Sequence, residues 1–427
     1  GSVEDLIESA HEGFFVGAEL QRLTLERAVR SFGPIEIGQG KTLWSYSDGY
    51  WKHNGYEQIV NRVGHLIGEK ARPAHTTYLI HFMETEDPSV NDLGPVEYIN
   101  LKNGMLDWRK GALAPHAAEY YSTIQLPHNW NPEATCPTVD GFLEQVLHAD
   151  LIDLIWEIIG ICIYTGMGFQ QAIFLDGEGR NGKGTLIRLI EKLIPPAFVS
   201  NIELQSFASD KFSKAELFNK ILNVVGDLSH NALSNTGVFK QLTGQDTVTA
   251  DFKYGPKFKF KNQATLLFAA NELPATNDAT FGFYERMLIV PFDKVSLQKH
   301  QIDHTLEDRM ELELDGVLVK AVDGLRRAKE RGFLLPVDRC EQALRDYKKG
   351  TAWFGKWVAT AVTFTASKQD RVKQADLFRS YSAWATATDR KAETKAEFYK
   401  IFASCYADKT TRTVHDGDSV FTNILLK

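Results

Sequence analysis

The chain has 427 residues and a mass of 48.1 kDa, with 43% hydrophobic, 24% charged and 11% aromatic residues. This composition excludes a disordered or collagen-like polymer and supplies apolar surface for two or three domains. Lys and Arg number 48 against 55 Asp and Glu, a net charge of −7 with a pI near 6.0, so the chain is not coated with basic charge. The charge is uneven, however: from Arg339 onward there are 16 basic residues against 10 acidic ones, a net +6, which leaves −13 on residues 1–338. Within that acidic body, Lys240 to Lys261 holds five lysines against Asp246 and Asp251. Positive charge confined to two segments is compatible with a polyanion held at restricted places.

Cys136, Cys162, Cys340 and Cys405 lie far apart and form no CxxC pair, so neither a zinc ribbon nor a disulfide framework is expected and a reducing, cytoplasmic compartment is the default. The most apolar run, Leu151 to Met167, carries Asp153 and Glu157 and falls short of the ~18 to 20 apolar residues of a membrane span. It reads as a buried helix, with no membrane partner. The chain opens on Gly1-Ser2 rather than Met, as a scar of tag removal on a fragment would, and an upstream partner domain is expected to be absent from it.

In chain order, Val3 to Arg30 predicts a helix, with Phe14, Leu20, Leu23 and Ala28 at roughly helical spacing. An Asp48-Gly49 turn then separates two aromatic-rich strands, and Ile59, Val63, Leu66 and Ile67 mark one face of a helix. Ala71 to Pro137 reads as loop-rich, with seven of the chain's 14 prolines and one strand-turn unit around Asn103-Gly104. A boundary is placed at 137. Val139 to Met167 predicts helices leading into a strand at Ala172 to Leu175, and an α/β pattern continues to about Pro291, with a second boundary near 295. Beyond it, Gln298 to Arg331 predicts helix up to a break at Pro336. The last 60 residues read as two or three helices closed by a hairpin at Asp416-Gly417, an order that suits either a winged helix or a plain helical cap.

The strongest chemical signal is AIFLDGEGRNGKGTLIRLIEKLI. Gly177, Gly182 and Lys183 satisfy G-x-x-x-x-G-K between an apolar strand and an amphipathic helix. Glycines let the backbone of Gly177, Glu178, Gly179, Arg180, Asn181, Gly182, Lys183, Gly184 and Thr185 curl so that N–H groups face phosphate oxygens. The helix start adds its positive dipole end, and Lys183 reaches the β- and γ-phosphates. ATP with Mg²⁺ is the expected ligand. Gly184 stands where Ser or Thr is usual, so Thr185 or a carboxylate elsewhere must hold the metal. A buried strand ending in an acid is the second requirement, and Ile221 to Val225 followed by Asp227 meets it; Asp227 is the candidate for the Mg²⁺ shell and for ordering the attacking water. A turn-capping Asp is the plainer alternative.

Leu266 to Ala270 predicts a third strand ending on Asn271, whose amide suits a γ-phosphate and a lytic water, or merely a turn before Pro274. Arg286 precedes a fourth strand, Met287 to Val290; it suits an arginine finger reaching a neighbouring subunit, or a pair with Glu285 or Glu272. Between them, Phe252, Tyr254, Phe258 and Phe260 alternate with Lys253, Lys257, Lys259 and Lys261 around Gly255-Pro256. Such a ribbon, with Lys253, Tyr254, Lys257 and Lys259 as contacts, could track a nucleic-acid backbone, although the pattern also suits lysines that only solvate an outer face.

The order GEGRNGKGT, VVGDLS, KQLTGQDTVTADFKYG, LLFAANELP and YERMLIVPF resembles superfamily 3 helicases of the phage, plasmid and poxvirus primase-helicase group, over about Leu43 to Pro291. The resemblance implies an α/β fold: an AAA+ P-loop core over 138–295, an α+β collar-like N-terminal extension over 1–137 and a helical, winged-helix-like region over 296–427. It implies a DNA helicase working as a hexameric ring, in which Lys183, Asp227, Asn271 and Arg286 catalyse ATP hydrolysis and single-stranded DNA passes through the channel. Duplex DNA would engage the C-terminal region, and a primase or polymerase domain would lie upstream. The chain departs from the group at Glu285-Arg286, where members often carry two arginines, and after Asp227, where Ser229 and His230 replace a further acid. A non-catalytic origin-binding module and a P-loop phosphotransferase are the alternative readings.

Overall fold

A computed structural model describes residues 14–427 apart from 17–18, 39–40, 91–92, 211, 230–235, 252–256, 275–280, 302, 352, 389–391, 393, 407–408 and 416. Among the described residues, the predicted helix over Val3 to Arg30 is a helix at Arg22–Ser31 (α1). Phe15–Val16 and Glu19–Leu20 instead pair as a short antiparallel ribbon, and residues 3–13 lie outside the described ones. Phe14 and Leu25 do share one core, but Gln21 donates its N–H back to the Phe14 carbonyl (2.7 Å), a turn that a continuous helix forbids. Three strands follow, β1 (Ile35–Ile37), β2 (Leu43–Ser47) and β3 (Tyr50–Lys52), the last two joined at Asp48-Gly49. Both turn residues have positive φ, 54° and 88°, as a tight hairpin turn of this hand demands. Helix α2 (Gly55–Ile67) buries Ile59, Val63, Leu66 and Ile67 on the predicted face.

The stretch read as loop contains a helix, α3 (Pro73–Met83), with Pro73 at its first position and only Leu79 and Met83 buried. So few buried positions leave no apolar periodicity to read. A second three-stranded sheet, β4 (Tyr98–Leu101), β5 (Gly104–Asp107) and β6 (Ala112–Ala114), turns at Asn103-Gly104. Two helices then lead to the central sheet, α4 (Pro137–Val146) and α5 (Ala149–Cys162).

The central sheet is fully parallel. Its strands in chain order are β7 (Ala172–Asp176), β8 (Val199–Ser200), β9 (Leu222–Val225), β12 (Thr265–Ala270) and β13 (Met287–Pro291), with spatial order β8-β9-β12-β7-β13. Helix α6 (Lys183–Lys192) follows β7, and α7 (Thr236–Thr243) leads into an antiparallel hairpin, β10 (Thr247–Asp251) and β11 (Lys257–Lys261). Both faces of the sheet are covered, which is why its strands read as mainly apolar runs, the buried Asn223 of β9 being paired with the backbone of Ile202. Ile173 and Leu175 join one core while Ala172 and Phe174 join the other, and Leu267 and Ala269 alternate likewise with Leu266 and Phe268.

The helix predicted over Gln298 to Arg331 is broken in two, α8 (Leu306–Glu311) and α9 (Leu314–Arg331). α9 lies directly against α5: a Cβ on Gly160 would meet the Ala321 carbonyl oxygen at 2.3 Å, and one on Gly324 the Trp156 carbonyl oxygen at 2.4 Å. The charge buried in α5 is answered here, since Glu157 accepts from Arg331 Nη1 (3.0 Å) and Nη2 (2.8 Å) and from the Leu335 N–H (2.8 Å). Helix α10 (Asp338–Thr351) packs on β13, with the Tyr347 hydroxyl donating to the Pro274 carbonyl at 2.8 Å.

The C-terminal segment has its own core around Trp357, Tyr381, Phe398 and Phe402. Its order is α11 (Trp353–Ala361), β14 (Val362–Phe364), β15 (Arg371–Lys373), α12 (Gln374–Ala387), α13 (Lys395–Cys405), then the hairpin β16 (Thr411–His415) and β17 (Asp418–Thr422), and β18 (Ile424–Leu426). Among the described residues no helix is long and apolar enough to cross a membrane.

Candidate functional site

The glycine loop connects the carboxyl end of β7 to the first turn of α6. Gly177 has no room for a side chain, because a Cβ would stand 2.4 Å from Asn181 Nδ2 and 2.5 Å from the Phe292 carbonyl oxygen. Gly182 takes a left-handed φ of 93° and a Cβ there would meet Val146 at 2.8 Å; Arg180 is also left-handed, at 65°. Asn181, only 2% exposed, ties the loop to the strand beside it by donating to the Phe292 carbonyl at 2.8 Å. No side chain caps the start of α6, so its first N–H groups remain available to an anion.

Lys183 is 6% exposed; its ammonium donates to the Gly177 carbonyl and to Asn181 Oδ1 (3.0 Å). Burial pulls its pKa below the ordinary lysine value, opposed by the charges of Asp176 and Asp227. Asp176, the last residue of β7, is pushed the other way: burial raises its carboxyl pKa, with Lys183 lowering it and Asp293 raising it further. Asp227 follows β9 and is exposed, and the adjacent Leu228 N–H donates to Ala269 (2.7 Å), pinning this strand end beside β12. Asn271, the residue after β12, lines one cavity together with Gly179 to Thr185 and Gly226.

That cavity has a volume of about 840 Å³ and two walls that no local motif marked. One is α4, through Thr138, Gly141, Phe142 and Gln145. The other is the segment 303–309. Glu307 of α8 accepts from the Thr185 hydroxyl at 3.4 Å and from Arg188 Nε at 3.0 and 2.9 Å, and the Arg188 guanidinium holds its carboxyl below the ordinary range. Glu313 anchors the opposite wall, accepting the Thr138 N–H at 2.9 Å and the Val139 N–H at 3.2 Å from the first turn of α4. The acids Asp176 and Glu307 were both missed by the sequence reading. Asp176 obeys the rule that singled out Asp227, an apolar strand ending in an acid; Glu307 carries no local signal, since it meets Thr185 across 122 positions.

Arg286 is not brought to this cavity. It stands just before β13, where its carbonyl accepts the Ala172 N–H (2.8 Å) at the amino end of β7, whereas the loop leaves the carboxyl end. At ~3.3 Å per residue, the six steps from the level of Arg286, beside Gln171, to Gly177 separate the two by roughly 20 Å. Its Nη1 donates to the Gly282 carbonyl at 2.5 Å, and its buried Nε has no hydrogen-bond partner among the described residues. Glu272 pairs with Lys356 rather than with Arg286.

In the β10–β11 hairpin, Lys253 and Tyr254 lie outside the described residues. Lys257 and Lys259 are exposed, with Asp251 and Thr249 opposite them. Phe258 and Phe260 turn to the other face, where both meet the Phe218 ring, at 5.1 and 5.7 Å between centroids.

A parallel sheet covered on both faces, with a glycine loop at its carboxyl edge and a helical segment closing over that loop, defines a mixed α/β protein. Residues 94–148 match the family described as D5 N terminal like, and residues 175–286 match a family of unknown function, DUF5906. A protein of Acanthamoeba polyphaga mimivirus, provisionally named a helicase, is 20% identical over 318 residues, 67% of this chain and 32% of that protein. The chain therefore spans about a third of the length of that relative. Among solved structures, the apo C-terminal region of NrS-1 (its residues 305–718) superposes with a TM-score of 0.55 at 12% identity, over 95% of this chain and all of that one. By these likenesses the chain resembles the phage and viral primase-helicase group.

Proposed function

We propose that the chain is the ATP-hydrolysing motor of a DNA replication helicase, an AAA+ ATPase of the superfamily 3 type that assembles as a hexameric ring and draws single-stranded DNA through its channel. One observation carries the reading: Lys183 is buried in a loop with no room for side chains at Gly177 or Gly182, at one end of β7, while Arg286 stands at the other end. A loop of this shape suits a triphosphate, and an arginine roughly 20 Å away suits a site shared with a second copy.

On binding, Lys183 would leave the Gly177 carbonyl for the β- and γ-phosphate oxygens, which would restore the charged form that burial disfavours. The uncapped start of α6 would receive the remaining phosphate charge. Thr185, Asp227 and Glu307 are the residues that would hold Mg²⁺ directly or through water, and the ion would neutralise charge on the transferred phosphoryl group. Asn271 would orient the attacking water. The wall residues of α4 would face the base. The hairpin lysines, Lys257 and Lys259 with Lys253 beyond them, suit the phosphate backbone of the translocated strand. The C-terminal order of helix, strand, two helices and hairpin supports a winged helix for duplex DNA. The name of the mimivirus relative supports the same activity.

The test is ATP hydrolysis with and without oligothymidylate. Lys183→Ala is expected to remove hydrolysis and its stimulation, and a variant that still responds to single strands would overturn the reading.

A further inference from the structure

We propose that a trough between the β2–β3 hairpin and the central sheet is a second binding site for single-stranded nucleic acid, continuous with the lysine face of β11. This deepens the proposed function and rests on it. Two cavities adjoin at Asn219, one of about 350 Å³ and one of about 560 Å³. Lys220, Lys259 and Lys261 line the smaller. Lys52 and Lys102 line the larger, together with Trp44, Tyr50 and His53.

The charge of this surface sets it apart. Five lysines and not one Asp or Glu line the two cavities, although residues 1–338 carry a net −13. Asp48 occupies Lys52 from outside the lining, and Lys220 donates to the Ala197 carbonyl at 2.5 Å. Lys102, Lys259 and Lys261 form no salt bridge among the described residues. Three cations without a salt bridge in an acidic body match a polyanion, and Lys259 and Lys261 belong at once to the trough and to the hairpin.

The aromatic content narrows the class further. Trp44 and His53 stand 5.1 Å apart with rings tilted by 51°, and the Lys52 ammonium lies 4.8 Å above the Tyr50 ring. Rings interleaved with lysines accept unpaired bases by stacking while the cations hold phosphates, and a duplex has no exposed base face to offer. The strand engaged by the hairpin would therefore run on across Lys220 toward Lys102 and Trp44 rather than leave the protein at β11.

The experiment uses the full chain and fluorescein-labelled oligothymidylate, oligouridylate and duplex DNA, with anisotropy read across a salt series. Lys102 is exposed, so Lys102→Glu is expected to keep the wild-type unfolding midpoint, weaken oligothymidylate binding about tenfold and lower the log–log salt slope by about 0.7. Trp44→Ala is expected to weaken binding at least about fivefold with the slope unchanged. Equal effects on oligouridylate would assign the trough to single strands of either sugar. Wild-type affinity in both variants, with binding weakened by Lys257→Glu, would overturn the trough and leave the helicase reading intact. Preferential duplex binding that Lys102→Glu weakens would overturn the single-strand assignment, and a wild-type chain that binds no single strand would overturn both proposals.

Discussion

Because Arg286 and the glycine loop sit at opposite ends of β7, the two halves of a hydrolytic site can be supplied by different subunits, and mixing experiments separate them. On the proposed reading, Lys183→Ala would remove the phosphate-contacting cation from a subunit's own loop. Arg286→Ala would remove only what that subunit lends to its neighbour. The separation of roughly 20 Å, from the six steps between the level of Arg286 and Gly177 at ~3.3 Å per residue, is well beyond the reach of an arginine side chain, so neither loss can be made good within one chain. Each variant alone should lose about 10³-fold or more in hydrolysis, the scale of transition-state stabilisation by an arginine finger. In an equal mixture, an interface is complete when an Arg286→Ala subunit presents its loop to a Lys183→Ala subunit, which occurs at roughly a quarter of randomly formed head-to-tail interfaces. Hydrolysis in the mixture should thus rise to about a quarter of the wild-type rate. The assay is steady-state phosphate release after the two proteins are co-assembled with nucleotide, with each variant alone as control. A mixture no more active than its parents would refute the shared site, as would an Arg286→Ala protein at full activity.

Glu157, buried on α5, accepts from Arg331 and the Leu335 N–H, so Glu157→Ala leaves both donors unanswered and should cost about 3 kcal/mol or more in urea unfolding; a loss under about 1 kcal/mol would mean that Arg331 simply rehydrates. Lys329, whose ammonium donates to the Met167 carbonyl at 2.8 Å, is brought down by burial from 10.5 to about 8. Its folded pKa lies below its unfolded one, so the stability it contributes is present at high pH and is lost as pH falls through about 8. Lys329→Met should therefore exceed wild type by about 1 kcal/mol at pH 7, since the ammonium is only partly buried, with the gap closing toward pH 10; a gap that does not change with pH would contradict the assigned cause. Lys257→Ala with Lys259→Ala should flatten the salt dependence of single-strand binding by about 1.4 in log–log slope, and an unchanged slope would return the hairpin to a structural role.

Local physics made much of the central unit legible in the chain. A strand covered on both faces is mainly apolar, so β7, β9, β12 and β13 appeared as runs, with Asn223 of β9 as a hydrogen-bonded exception. The glycine loop appeared because its backbone leaves no room for Cβ atoms at Gly177. The Asp48-Gly49 and Asn103-Gly104 turns were equally plain, since their backbone conformations restrict residue choice. Where burial is sparse the reading failed: α3 buries only Leu79 and Met83, and the ribbon at Phe15 to Leu20 placed apolar residues at spacings that imitate a helix.

By itself the sequence determined four of the five strands of the central sheet, where a glycine loop leaves one of them, and which residue types stand at the ends of its neighbours; the two-residue β8 was too short to read. Each is a property of a few consecutive residues. Only the tertiary structure decided what encloses that loop and what lies far from it. Glu307 meets Thr185 and Glu313 caps α4 because α9 is locked on α5 through Gly160 and Gly324, a contact between segments some 160 positions apart that no local pattern encodes. The parallel direction of β7 and β13 set Arg286 at the end of the sheet opposite Lys183. The same assembly of distant segments gathered five lysines from an acidic chain into one trough, because net charge follows composition, whereas a local field follows the fold.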